Sequence, residues 1–210
     1  MAKKAGRNSK PAPKKAAKKP APKQKAPDAL SRLKAQLKDA RARIAALEAR
    51  ADVDPLLDIP NRRGFARELG RSLAYIKRYG TEAALVYLDL DGFKAVNDKH
   101  GHAAGDALLK AVAQAIATKV RASDMVGRLG GDEFAVILCN LGPTQAAAKA
   151  LELERLIAQT SLSHDGAQLS VGASAGIAPL SPRDTAAQAI EAADRAMYVR
   201  KSERRAAQIG

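Results

Sequence analysis

The chain has 210 residues and a formal net charge of +14, from 36 Lys plus Arg against 22 Asp plus Glu. A single cysteine excludes a disulfide framework, and apolar runs such as Ala83–Leu88 are far too short to span a bilayer. The opening residues are charged with no apolar stretch behind them, so no secretory signal is read there and a soluble, cytoplasmic protein is expected.

Residues 1–27 carry ten basic side chains, no acidic one and five of the ten prolines. With so little to bury, this segment is expected to be a disordered, polyproline-leaning arm. Its charge suits a weak contact with a polyanion or a membrane surface, although it offers no aromatic ring on which a base could stack. The remaining residues hold 26 basic and 22 acidic side chains, a nearly balanced body of one domain's size. The charge of the whole chain therefore belongs mostly to the arm.

From Asp28, a plausible N-cap, Leu30, Leu33, Leu37, Ala40, Ile44, Leu47 and Ala51 recur at alternating steps of three and four. That period predicts a helix over 28–51 and, with Arg43 at g and Glu48 at the following e, a short parallel coiled coil. Pro55 cannot continue it. The body begins near Asp52. Glu82–Asp91 reads as a strand ending in carboxylates, and Ala104–Thr118 as a helix. Met125–Gly130 and Glu133–Cys139 read as two strands of a hairpin around Gly130, Gly131 and Asp132. Thr144–Gln159 reads as a helix, Leu169–Ile177 as one alternating strand and Ala186–Arg205 as a final helix. The order implies an α+β sheet with helices on one face, and Cys139 is expected to be a small buried apolar residue.

Two acidic clusters carry chemistry. Asp89 and Asp91 share one side of their strand because side chains alternate, and Asp132 and Glu133 sit at the hairpin tip. Together they form an all-oxygen donor set suited to Mg²⁺ (or Mn²⁺), which takes phosphate oxygens as its other ligands. Gly130 and Gly131 lack β-carbons, so the turn is expected to adopt positive φ and to admit a phosphate. Behind the strand, Gly92 to Asp106 reads as a ligand loop feeding a helix.

DLDGFKAVNDKHGHAAGD followed by RLGGDEF resembles the diguanylate cyclase, or GGDEF, family over about residues 54–205. The resemblance implies a palm-like antiparallel sheet flanked by helices, similar to nucleotidyl cyclases, one GTP per domain, and a homodimer that joins two GTP into cyclic di-GMP. It implies metal binding by Asp89, the Leu90 carbonyl, Asp132 and Glu133, with Asp132 as the base. It places Asn97 and Asp106 at guanine-reading positions, Phe93 and Lys94 over the phosphates, His102 beside the nucleotide, and Lys201 and Arg205 on the phosphates. Arg121 and Asp124 match the family's RxxD site, where product inhibits. From the chemistry itself, a carboxylate at Asp106 accepts from both N1–H and the exocyclic amine of guanine but faces a lone pair on adenine, which favours GTP. Two departures stand out. Leu57 and Asp58 replace the family's Thr and Gly, and Arg200 and Arg204 stand where Ala and Gly are usual, adding charge beside the phosphates or decorating a solvent face. The alternative reading is a catalytically silent receptor for GTP or cyclic di-GMP.

Overall fold

A computed structural model describes residues 29–209, with side chains throughout except at residues 29, 42, 44–50 and 205–209. The basic arm and the Asp28 cap lie outside the described residues, as does the side chain of Arg205. The chain forms two compact units divided after Ala42. The first contains most of helix α1 (Ala29–Ala51), whose Leu30, Leu33 and Leu37 are 59%, 63% and 51% exposed. The expected apolar stripe thus stands bare to solvent there. Among the described residues no helix is long and apolar enough to cross a membrane.

The second unit is built on a four-stranded sheet. Helix α2 (Arg62–Tyr79) leads into β1 (Ala83–Asp91), then α3 (Phe93–His100), α4 (His102–Lys119), β2 (Met125–Arg128) and β3 (Glu133–Cys139). Helix α5 (Pro143–Gln159), β4 (Ser161–His164), β5 (Ala167–Ser170), β6 (Gly172–Pro179) and α6 (Ala186–Ile209) follow. The strand order is β2-β3-β1-β6, with every neighbour antiparallel. This is the expected α+β architecture, but its helices cover both faces rather than one. Val86, Leu88 and Leu90 of β1 pack with Leu108, Ile116, Leu153 and Ile157 of α4 and α5. Leu85 and Tyr87 pack on the other side with Phe65 and Leu69 of α2 and Ala193 and Met197 of α6. A strand buried on both faces has no polar side, which is why β1 reads as an uninterrupted apolar run.

Three further differences have local causes. Helix α2, which the periodicity reading passed over, is capped at both ends: Asn61 accepts the N–H groups of Arg63 and Gly64, and Gly80 closes it at φ 66°. The single strand expected over Leu169–Ile177 is two strands. β5 pairs with β4 through an Asp165-Gly166 turn with φ 48° and 79°, and β6 then joins β1. The side-chain alternation continues across Val171 while the hydrogen-bonding partner changes, so periodicity alone could not separate them. Cys139 is only half-buried, at the end of β3, where its N–H donates to Asp124 Oδ1 at 3.0 Å.

The family departure at Asp58 has a conformational answer. Asp58 adopts φ 54°, the left-handed conformation that glycine supplies without penalty and that Asp tolerates better than most residues. The loop around it is held by Asp54 Oδ1, which accepts from the N–H of Leu56 and of Leu57, each at 3.0 Å.

Candidate active site

The end of β1 is covered on one face only: Leu88 and Leu90 are buried, whereas Asp89 and Asp91, on the other face, are only partly covered. Both point to the α2/α6 side, where Lys201 of α6 meets them. Its ammonium pairs with Asp89 Oδ1 and lies 3.4 Å from Asp91 Oδ1. Burial would lower that ammonium's pKa, but the hydrogen bond to Asp89 and the charges of Asp89 and Asp91 prevail and raise it above the usual lysine range. Asp91 Oδ2 also accepts from Ser174 Oγ at 2.8 Å.

The signature turn closes over this strand end. The Asp132 carbonyl accepts the Leu90 N–H at 3.1 Å, and the Leu129 N–H donates to the Glu133 carbonyl at 2.8 Å. Burial, and then the neighbouring charge of Asp89, push the Asp132 carboxyl above its ordinary range, with Lys201 and Arg128 only partly opposing. Glu133 stands opposite Asp89 in the β1–β3 register. Its carboxylate nevertheless turns to Arg62 Nη2 at 3.5 Å and to the Tyr87 phenol. Burial and the charge of Glu133 together raise that phenol far above its usual range. The two glycines differ from expectation, since neither adopts positive φ. A β-carbon at Gly130 would meet the carboxylate end of the Glu133 side chain, which would have to turn aside, while Gly131 faces no such neighbour.

Three side chains that sequence reasoning did not single out set the shape of the turn. Arg128 donates from Nε to the Gly130 carbonyl at 3.0 Å and from Nη2 to the Gly131 carbonyl at 2.7 Å, while its Nη1 lies 3.1 Å from Asp54 Oδ2. Arg62 Nε donates to the Leu129 carbonyl at 2.8 Å. Their only signal was position, Arg128 two residues before the glycines and Asp54 and Arg62 in the stretch leading into the body.

A second group assembles on α3 and α4. The segment expected to be a loop is helical from Phe93, with Gly92 in the left-handed region before it. The Phe93 ring is buried in the core, so only its backbone can face a ligand, while Lys94 is exposed. The Asn97 amide lies over Gly105, in the space a β-carbon would take. Asp106 follows Gly105 on α4 and is exposed, as is His102 at the start of the helix. Arg121 and Asp124 lie elsewhere, beside a cavity of about 480 Å³ that Lys119 and Lys149 also line. Asp124 Oδ2 accepts the Arg121 N–H at 2.9 Å, which closes the turn, and the Arg121 side chain is exposed.

Among the described residues no three of His, Cys, Asp or Glu are grouped closely enough to enclose a metal ion. The donors present still fit a hard divalent cation. Asp89 and Asp132 offer hard carboxylate oxygens, and the charge of Asp89 adds to burial in holding the Asp132 carboxyl above its ordinary range, which a cation would relieve.

The model of the family described as diguanylate cyclase, GGDEF domain, matches residues 51–207. Diguanylate cyclase TpbB of Pseudomonas aeruginosa is 39% identical over 177 residues, covering 81% of this chain and 39% of that protein. This chain thus spans well under half the length of that relative. The crystal structure of the coiled coil and GGDEF domain of DgcB from Caulobacter crescentus, in complex with c-di-GMP, matches with a TM-score of 0.70 at 28% identity, over 83% of this chain and 93% of that one. Diguanylate cyclase SiaD from Pseudomonas aeruginosa, in complex with its activator SiaC, matches with a TM-score of 0.70 at 30% identity, over 83% of this chain and 67% of that one.

Proposed function

This chain belongs to the diguanylate cyclase, GGDEF-domain family, and we propose that it condenses two GTP into cyclic di-GMP in the cytoplasm. In each half-reaction a ribose 3′-hydroxyl attacks an α-phosphate, the α–β phosphoanhydride bond breaks, and pyrophosphate leaves. The observation that carries this reading is the closure of the RLGGDEF turn over the end of β1, which crowds Asp132 against Asp89 beside Lys201.

Asp89, the Leu90 carbonyl, Asp132 and Glu133 are the residues that would hold Mg²⁺ or Mn²⁺. When bound, the ion neutralises phosphate charge and makes the α-phosphate a better electrophile. The chain's own residues do the rest. The first N–H groups of α3, at Phe93 and Lys94, have no helical acceptors and suit phosphate oxygens. Lys201 and Arg205 add positive charge there, with Gly130 and Gly131 admitting the nucleotide and His102 lining it. Asp106 and Asn97 read the guanine edge. Asp132, with its raised carboxyl, accepts the 3′-hydroxyl proton.

One domain holds one nucleotide, so two copies must face each other, and the bare leucines of α1 are the means of pairing them. Residues 28–51 serve as the coiled coil and 52–210 as the cyclase domain, while residues 1–27 form a tail for weak polyanion or membrane-surface contact. Arg121 and Asp124 form the site where product inhibits.

Incubating the purified protein with GTP and Mg²⁺ after stripping bound product should yield cyclic di-GMP and pyrophosphate. Nucleotide binding with no product at high protein concentration would instead identify a silent receptor. Arg121→Ala should sustain turnover as product accumulates, and an unchanged progress curve with unchanged product affinity would remove the inhibitory site.

A further inference from the structure

Arg200 and Arg204 do more than add charge or decorate a solvent face, although Arg204 is exposed and lines one cavity with Lys201. They reach around the free edge of β6 to Glu154 on α5, whose side chain is only 4% exposed. Glu154 Oε2 receives Arg200 Nη2 at 3.1 Å and Arg204 Nη2 at 2.8 Å, while Oε1 accepts the Ala175 N–H at 2.8 Å. Arg204 Nη1 donates to the Ala173 carbonyl at 2.7 Å. Ala173 and Ala175 belong to the strand that ends the sheet order, so these bonds satisfy backbone groups that no further strand reaches. One buried carboxylate thereby ties together α5, the sheet edge and α6.

The tie bears on the active site through helical geometry. Residues 200 and 204 are four apart and share a helix face, with residue 201 about 100° from the first and about 60° from the second. The arginines hold this stretch of α6 to α5 and the β6 edge, while Lys201 reaches Asp89 and Asp91 of β1. Together they add a tie at the C-terminal part of α6, beyond the packed Ala189, Ala193 and Met197. Upstream, α6 beds directly onto β6 at Gly176, where a β-carbon would collide with the Met197 N–H and the Ala193 carbonyl. Ala193 and Met197, buried with Ala189 at steps of four, set which face of α6 meets the sheet, and Lys201 continues that row one step beyond them.

We propose that Glu154 is a positioning residue, which through Arg200 and Arg204 aims Lys201 at Asp89 and Asp91. Its consequence for catalysis rests on the reading of Lys201 as a phosphate contact; its structural content does not. Lysine carries a point charge on a flexible stem, so its placement depends on the helix that bears it.

Two measurements test this. The first reads Lys201 directly, by ¹H–¹⁵N NMR of lysine ammonium groups, with the Lys201 signal assigned by its absence in Lys201→Ala. It should be protected from exchange in the native protein. It should be lost in Arg200→Ala/Arg204→Ala and in Glu154→Gln, which keeps the volume and the Ala175 bond and so guards against a variant that fails to fold. An unprotected native signal, or one unchanged in both folded variants, overturns the proposal. The second is kinetic: the double arginine variant should raise KM for GTP on the order of 10- to 100-fold with kcat little changed. Arg200→Lys/Arg204→Lys should recover part of that loss. In a Lys201→Ala background, removing the arginines should add nothing, because the clamp acts through that lysine. Multiplying effects overturn the proposal. A lost NMR signal with KM unchanged in Lys201→Ala itself supports the positioning and refutes the phosphate role.

Discussion

Two acidic sites on opposite sides of one strand edge have reached opposite solutions to the burial of charge. At the end of β1, Asp132 and Asp89 are crowded, and the nearby Lys201 and Arg128 leave the Asp132 carboxyl raised. On α5, Glu154 is deeper yet fully provided for, with two arginines and a backbone N–H on its two oxygens. An under-compensated carboxylate stores free energy that a cation can release, whereas a compensated one holds structure together. The contrast separates the part of the molecule built to bind from the part built to hold.

The largest effect should come from neutralising the crowded site. Asp132→Asn should abolish cyclic di-GMP formation, by a factor of roughly 10² or more, while the melting temperature stays level or rises, since a half-buried charge repelled by Asp89 is gone. Glu154→Ala should do the reverse to stability. It strands two arginines on a single helix face and should cost about 3 kcal/mol in chemical denaturation, toward the low end for a broken buried pair because both arginines reach solvent. If Asp132→Asn proved the more destabilising of the two, the distinction between the sites would collapse.

The pH dependence sharpens it further. A carboxyl raised in the folded state means that the folded protein holds its proton to higher pH than the unfolded chain does. Asp132 therefore weakens the fold at neutral pH, and stability is recovered as pH falls through its raised value. Native protein should gain stability relative to Asp132→Asn on acidification in metal-free buffer, and parallel curves would contradict the crowding. Lys201 has the opposite consequence. Its raised ammonium stabilises the fold at and below the ordinary lysine range and loses that contribution at higher pH. Lys201→Met should thus cost stability near neutrality, and the difference from native protein should close in strongly alkaline solution. The smallest effect concerns the loop entering the body. Asp58→Gly should stabilise by about 0.5–1 kcal/mol, as relief of a left-handed φ. A loss would mean that the Asp58 side chain has a structural role of its own.

Much of the site was legible because its chemistry is contiguous. Asp89 and Asp91 alternate on one strand, and Asp132 and Glu133 terminate a glycine turn, so local rules placed each pair. What local rules could not reach was partner choice. Glu133 facing Tyr87 and Arg62, and Arg128 gripping two turn carbonyls while bonded to Asp54, join residues up to 74 positions apart. The Asp165-Gly166 turn and the caps of α2 were readable signals; the change of partner between β5 and β6 was not.

By itself, the sequence determined the family motifs, most of the element types and the separation of a basic N-terminal segment from a balanced body. These follow from composition, from periods of two and 3.6 residues, and from contiguous residues. The tertiary structure decided that both faces of the sheet are covered and that neither Gly130 nor Gly131 takes a positive φ. It also decided that Arg200 and Arg204 serve a buried carboxylate on another helix. Each depends on which distant surfaces meet, and a carboxylate's partners are set by what packing brings within 3 Å or so of its oxygens, not by its neighbours along the chain.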